Sequence, residues 1–475
     1  MKLYLPILFI VFIIGYSSIA FAQHDPYSGI QWRGSKINSI PPDSNSVLHA
    51  FRNGKFNGHF RNFFMSTINQ DSLSDYYANA IGGGIRYETA PFKGFQFAMS
   101  GYFIYNLSSS DLTAKDPSSK APNRYEIGLF DIENPANNGN MERLEEFYLK
   151  YSFKNNRIIF GKQIIRSPFI NPQDGRMRPT QVDAIYSDFK FSNKFTIEGG
   201  WIFKVSPRST IRWFNVGESI GVYGVGVNPS GTPSGYKNAL SSRGIGIFQS
   251  KYKISNSLSF SLVEQFTDKI FNTFLIQADY TKSIPPGKIL ASLQYTRQDP
   301  IGNGGNDDIE KSYFKPGTHS NILSSRISLL NGPWQTSFNY TRIGKGGRFL
   351  SPREWGRDPF FTFLPRERNE GLGDVNAYMI KVTRKVPKSN LILDVGAGYY
   401  DLPDARNAVY NKYGLPSYFQ TNFDLKYEFK GLLQGMDLDV LYVYKGRVGK
   451  VHNDPRLIIN KVNMSNINIV LNYHF

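Results

Sequence analysis

The chain contains no cysteine among its 475 residues, which excludes disulfide frameworks, thiolate metal sites and cysteine nucleophiles. Histidine is scarce: there are six, with neither an H-E-x-x-H motif nor a cluster at metal-ligand spacing. Gly83-Gly84 and the run Gly302-Asn303-Gly304-Gly305 are followed by no helical pattern, so they read as strand and turn glycines and not as phosphate cradles. No serine and histidine stand at a spacing that supports nucleophilic catalysis. No catalytic residue, metal or other cofactor is expected, and the chain does not read as an enzyme. Long hydrophobic runs are missing as well, because beyond the leader no window approaches the roughly 20 apolar residues of a membrane-spanning helix. That excludes a helical membrane protein but not a barrel, whose lipid-facing residues are diluted by polar ones alternating with them. Acids are also in short supply, 38 against 55 Lys and Arg, and the formal net charge is +17.

The leader supplies the compartment. Met1 to Gln23 carries one positive charge, Lys2, then an apolar run from Leu3 to Ile14, then Ala20-Phe21-Ala22. This is a secretory signal peptide over residues 1–22 with an A-x-A cleavage site. Residues 23–55 show no strand pattern through Ala50 and read as an N-terminal arm, and residues 56–475 form the main domain. Outside the cell nucleic acid is a poor partner for the excess charge. Anionic lipid and anionic solutes remain, and a basic lining inside a narrow, low-dielectric pore would concentrate anions. Aromatics make up 15% of the chain, nearly all Tyr and Phe, a stock that girdles at two membrane interfaces would consume.

From Phe56 onward the sequence divides into strand-like segments of about ten residues, the length a tilted membrane strand requires. Leu258, Phe260, Leu262 and Phe266 oppose Ser257, Ser259, Ser261 and Gln265. Phe419, Phe423, Leu425, Tyr427 and Phe429 oppose Gln420, Asn422, Asp424, Lys426 and Glu428. The connections alternate in length. Short turns such as Lys154-Asn155, Ser255-Asn256, Asn331-Gly332 and Pro387-Lys388-Ser389 are separated by long links such as 106–142, 163–183, 205–242 and 344–374. This rhythm predicts an all-β fold, a transmembrane antiparallel β-barrel of about 18 strands with short periplasmic turns and long extracellular loops. Two places break it: the link Thr267 to Lys269 is short where a long loop is due, and Ser219 to Val227 could hide part of a strand. The last segment puts Ile467, Ile469, Leu471, Tyr473 and Phe475 on one face and Asn466, Asn468, Val470, Asn472 and His474 on the other. It is the closing strand and must pair with Phe56 to Ser66. Its aromatic end resembles the signal by which barrel assembly machinery recognises outer-membrane proteins.

Two loops are dense in arginine. In Gln163 to Asp183, the compact run Asp174-Gly175-Arg176-Met177-Arg178-Pro179 predicts a loop folded into the lumen, with Arg166, Asp174, Arg176 and Arg178 at a constriction. In Ser351 to Gly371, Arg353, Arg357, Arg366 and Arg368 are interleaved with Glu354, Asp358, Glu367 and Glu370. Guanidinium forks of this kind suit bidentate carboxylate recognition. The near balance of charge points to a self-satisfied loop packed over the mouth, anchored by Trp355, Phe360 and Phe361, with one arginine facing the pore.

Gly161-Lys162-Gln163 leading into the Asp174–Pro179 run, Ser206-Pro207-Arg208-Ser209 after the seventh strand, and the closing Tyr473-His474-Phe475 resemble the OprD-type outer-membrane porins. In segment order the resemblance covers most of the mature chain. It implies an 18-stranded channel of the bacterial outer membrane, monomeric or loosely associated, that passes carboxylates, amino acids or short peptides along a ladder of basic residues. Alternation places Arg326, Lys381, Lys426 and Lys150 inward, with Asp279, Asp394 and Asp424 as inward acids. The last strands lack the dense run of inward arginines of the best-known members, which departs from the family pattern. The expected function is passive diffusion of small polar or anionic solutes, with outer-membrane lipid around the barrel. The rivals are a barrel hydrolase and an adhesin with a filled lumen, and the strand number favours an open lumen.

Overall fold

The computed structural model describes residues 43–475 apart from 71, 174 and 367. The signal peptide and most of the arm lie outside the described residues, as does Asp174. The strands follow in chain order as β1 (Lys55–Asn69), β2 (Tyr76–Glu88), β3 (Phe95–Ser109), β4 (Arg143–Phe153), β5 (Asn156–Gln163), β6 (Gln181–Lys190) and β7 (Phe195–Ser206). After a two-residue strand, β8 (Phe214–Asn215), come β9 (Ile245–Lys253), β10 (Leu258–Thr267), β11 (Phe271–Ile284), β12 (Gly287–Pro300) and β13 (Ser320–Asn331). The last six are β14 (Trp334–Ile343), β15 (Val375–Lys385), β16 (Leu391–Asp401), β17 (Tyr418–Glu428), β18 (Met436–Arg447) and β19 (Met464–His474).

Each strand pairs antiparallel with its sequence neighbour, β7 pairs across to β9, and β19 pairs with β1, so 18 strands close a ring and β8 hangs on β7 as a nineteenth. Closure leaves no unpaired sheet edge, the condition for a sheet in hydrocarbon. All 18 expected segments are barrel strands. Their ends shift by a few residues, most at the outer rim, where β3 continues to Ser109 and β6 begins at Gln181, because ladder pairing continues beyond the apolar stretch that marks a strand in sequence. The short link after β10 is a tight turn whose Asp268 pairs with Arg243, just ahead of β9, at 3.1 Å. Ser219 to Val227 holds no strand. Its first residue ends the four-residue helix α2 (Val216–Ser219), and the extra strand lies upstream at β8.

The closing pair has the expected facing: Asn466, Asn468, Asn472 and His474 are buried inside, while Ile469 and Tyr473 are exposed outside. Register brings His474 opposite His59 and Val470 opposite Phe63. The Gly58 amide donates to the Phe475 carbonyl at 2.8 Å and the Phe475 amide donates back at 3.1 Å, while the Phe475 ring stacks on Phe60 and Tyr473. A Cβ on Gly58 would lie 2.0 Å from that ring. Gly58→Val should therefore displace Phe475 at a cost of about 1–3 kcal/mol. The check is the fraction of barrel that keeps its folded, heat-modifiable gel mobility, and wild-type mobility at all temperatures would refute the role of this contact.

A short helix, α1 (Val47–Arg52), is capped by Ser46 and lies on the outer surface, where Ala90 donates to the Ala50 carbonyl and Phe51 stacks on Tyr87 and Phe97. The apolar core does not lie between layers. It fills the outer half of the lumen, where the loop residues Phe169, Ile170, Phe349, Trp355 and Phe360 pack against inward residues of the wall.

Candidate functional site

Four outer connections turn into the barrel. The connection after β3 contributes the turn Glu126–Leu129, whose Glu126 accepts from Thr67 of β1 at 2.5 Å. The loop after β5 places Met177 fully buried among the inward residues of β1 to β3, and Arg61 of β1 donates to the Arg176 carbonyl at 2.6 Å. The loop after β7 adds Ser209, which donates to the Gly128 carbonyl at 2.6 Å. The loop after β14 runs along the wall. Gln294 and Gln298 of β12 donate to the Pro359 and Leu350 carbonyls, Tyr400 of β16 to that of Thr362, and Gln420 of β17 to that of Pro365. This loop was expected over the mouth and lies inside the lumen instead. With Ser324 of β13 and Thr341 of β14 hydrogen-bonded to Phe361 and Thr362 as well, its polar groups find partners on the inward face of these five strands, which a cap would leave unpaired. Trp355 is the anchor: fully buried, it donates to Ser219 at 2.8 Å and stacks on Phe271 at 6.0 Å.

The inward loops interlock and gather arginines. Asn171 donates to the Trp355 carbonyl and Thr180 to that of Glu354, each at 3.1 Å. Arg366 reaches the closing strand, where its Nε donates to Asn466 at 2.7 Å and its Nη2 to Asn468. Arg368 donates to Gln173 at 2.5 Å, and Arg208 to the Gln173 carbonyl at 3.2 Å. Arg176 lies within electrostatic reach of Arg366 and Arg368, and Arg366 of Arg208. Arg176, Arg208, Arg366 and Arg368 thus come from three loops into one cluster, Arg176 buried and the other three half-buried, with Arg61 at its edge. Among the described residues neither Arg176 nor Arg366 has a carboxylate within ion-pair distance; Glu126 acts on both at longer range, and Asp439 on Arg366. Like charges held together in low dielectric make a standing positive potential.

The remaining sequence candidates separate into four groups. Arg178 turns into the wall, buried, donating to the Met141 carbonyl at 2.7 Å and facing Glu145 at 3.8 Å. Arg353 and Arg357 stay near the outer end: Arg353 lies over the Tyr413 ring at 3.9 Å and Arg357 over Phe363 at 5.3 Å. Arg166 is half-buried, and its carbonyl accepts from Gln249. On the wall below, Arg326 lies 4.5 Å over Phe361, Lys381 pairs with Asp394 at 3.4 Å and Lys426 with Asp424 at 3.2 Å. Lys150, Asp279, Asp394 and Asp424 face inward as the alternation predicts. The inner half of the lumen is therefore a mixed-charge vestibule, with a cavity of about 290 Å³ beside Lys251, Ser259, Asp279 and Ser292. Among the described residues no group of three or more His, Asp or Glu is placed to hold a metal.

Sequence reasoning missed a second network, at the outer end. Glu370 receives Arg353 Nε at 2.7 Å, Lys412 Nζ lies 3.5 Å away, and the Tyr413 hydroxyl donates at 3.3 Å. Lys412 is caged by the rings of Tyr236, Tyr313 and Tyr413 at about 5 Å. No local pattern marks Lys412, because its partners come from three other loops. Burial alone would raise the Glu370 carboxyl, but Lys412 and Arg353 outweigh it and hold the group below its ordinary value. A lowered carboxylate contributes stability that is present above the unfolded value and lost as pH falls through the folded one. Acidification below about pH 4 should release the outer loops, and Lys412→Met should do so at neutral pH at a cost of about 3–5 kcal/mol. Limited proteolysis of the connection between β16 and β17 reads this release, and equal cleavage of both proteins at pH 7 would refute the latch.

A closed, antiparallel 18-stranded β-barrel with inward-folded outer loops is the architecture of transmembrane barrels wide enough to hold a lumen. No family model matches the chain and no curated protein matches it, but solved structures do. Pseudomonas aeruginosa OccK9 (OpdG) is similar with a TM-score of 0.70 at 13% identity, over 90% of this chain and 99% of that one. Acinetobacter baumannii OccAB4 is similar at 0.68 and 15% identity over 89% and 98%. Pseudomonas aeruginosa OccK8 (OprE) is similar at 0.68 and 13% over 90% and 99%. The 18-stranded fold implied by the sequence resemblance is thus the fold observed, shared along nearly the whole length.

Proposed function

We propose that the chain is a channel of the bacterial outer membrane through which small polar or anionic solutes, such as carboxylates, amino acids or short peptides, diffuse passively. The observation that carries this reading is the convergence of Arg176, Arg208, Arg366 and Arg368 inside a closed barrel, where Glu126, Asp358 and Asp439 are the described acids that act on them. Such a cluster draws an anion into the narrow section, and the mixed charges below it let the solute leave without deep trapping. No energy source and no catalytic group is required. The partners are the solute, outer-membrane lipid and the machinery that assembles barrels, with the protein acting as a monomer or in loose association. Purified protein in a planar bilayer tests the reading. Stepwise conductance with a reversal potential favouring chloride over potassium supports it, and silence at all voltages would leave the filled-lumen alternatives.

A further inference from the structure

The short turns at one end of the barrel are charged in one sense only, although Glu88, Glu428 and Asp437 lie at the strand ends beside them. Eight turns join strands there, and none contains Asp or Glu between strand end and strand start. Five of them present an exposed lysine, Lys93, Lys154, Lys194, Lys388 and Lys430, and none of the five makes an ion pair with a described residue. The acids of the connections are all at the opposite end, among them Asp116, Glu126, Glu310 and Glu370.

Turn geometry alone does not select these lysines. Lys93, Lys154 and Lys388 have φ of 51°, 52° and 59°, the left-handed region that Gly or Asn occupies with less strain. A charged side chain is kept where the backbone favours another residue. The same rim is also apolar. Val47 and Leu48 of the Val47–Arg52 helix are 56% and 61% exposed, and Leu432 in the turn after β17 is fully exposed. The helix continues the lipid-facing belt, since Phe51 stacks on Tyr87 and Phe97, outward residues of β2 and β3, and Lys93 sits 5.5 Å over the Phe92 ring.

We propose that this rim is a docking collar for anionic phospholipid of the inner leaflet. The five turn lysines meet headgroup phosphates, while Val47, Leu48 and Leu432 enter the acyl boundary. Exposed apolar side chains continuous with the belt favour lipid over a soluble anion or a cell-wall polymer, neither of which calls for them. The proposal rests on the reading of the chain as a membrane barrel, but not on conduction.

The test uses the full-length protein reconstituted in phosphatidylcholine with a trace of spin-labelled phosphatidylglycerol or spin-labelled phosphatidylcholine. The motionally restricted fraction of each label measures its preference for the protein surface. Wild type should restrict phosphatidylglycerol at least about twofold more strongly than phosphatidylcholine at low salt. The preference should vanish when all five lysines are changed to Gln and persist when they are changed to Arg. Heat-modifiable mobility shows that each variant is folded. Equal restriction of the two lipids by wild type would overturn the collar, as would a preference that survives the Gln changes. If neither label is restricted, the membrane reading itself falls with it.

Discussion

Arg366→Gln is expected to lower the anion-over-cation permeability ratio about a hundredfold while the barrel remains folded. The guanidinium is held by Asn466 and Asn468 on the closing strand, and Arg208 and Arg176 stand nearby. A permeating monovalent anion about 6 Å from that charge, at an effective dielectric of about 40, gains about 1.4 kcal/mol, a factor of ten in partition. Cations face the same term with the opposite sign. The glutamine keeps an amide donor for the asparagine face, so the loop stays seated and the charge is the main change. A reversal potential measured across a potassium chloride gradient reads the ratio. Arg353→Gln is the contrast: its partner is Glu370 at the outer end, so it should loosen the loops with a smaller effect on selectivity. Equal reversal potentials for wild type and Arg366→Gln would remove the arginine cluster from the conduction path.

The barrel was legible in the sequence and the constriction only in part, for one physical reason. A membrane strand is a local object: its period of two, its length and its turn residues all lie within about a dozen consecutive positions. Tyr76–Glu88 and Arg143–Phe153 were therefore readable to the residue, and the inward positions of Lys381, Asp394 and Lys426 followed from alternation alone. A loop that folds into a lumen is settled by partners far away in the chain. The third loop could be placed inside from its compact composition, yet the fates of two of its three arginines diverged. Arg176 joined the cluster, while Arg178, two residues on, became a wall residue because Met141 and Glu145 were within reach. The loop after β14 was misplaced because its balanced charge suggested self-pairing. Arg366 and Arg368 in fact pair with polar groups on β19 and on the third loop, while Arg353 closes onto Glu370 of its own loop. Arg61 and Lys412 gave no signal, each being one basic residue whose role depends on chain more than a hundred residues away or on several loops at once.

Trp355→Ala is expected to raise single-channel conductance several-fold and make it noisy, because this side chain holds the inward loop to the wall. Trp355 is fully buried, stacks on Phe271 and donates to Ser219, so it ties the loop after β14 to strand β11 and to helix α2. Removing a buried tryptophan costs about 3–5 kcal/mol. The loss falls on the loop and not on the barrel, whose closed ladder of strand pairs is untouched, so the result is local release and not global unfolding. Once released, the segment carrying Arg366 and Arg368 no longer spans the lumen, and conductance and anion selectivity should move in opposite directions. Trp355→Phe retains the ring and loses the hydrogen bond, a change of about 1 kcal/mol, and should fall between the two. The ordering wild type, Phe, Ala in conductance, with the reverse ordering in chloride preference, ties the pore section to this loop. If the Ala variant conducts as wild type does, the limiting section lies elsewhere, and the third loop with Arg176 would have to set it alone.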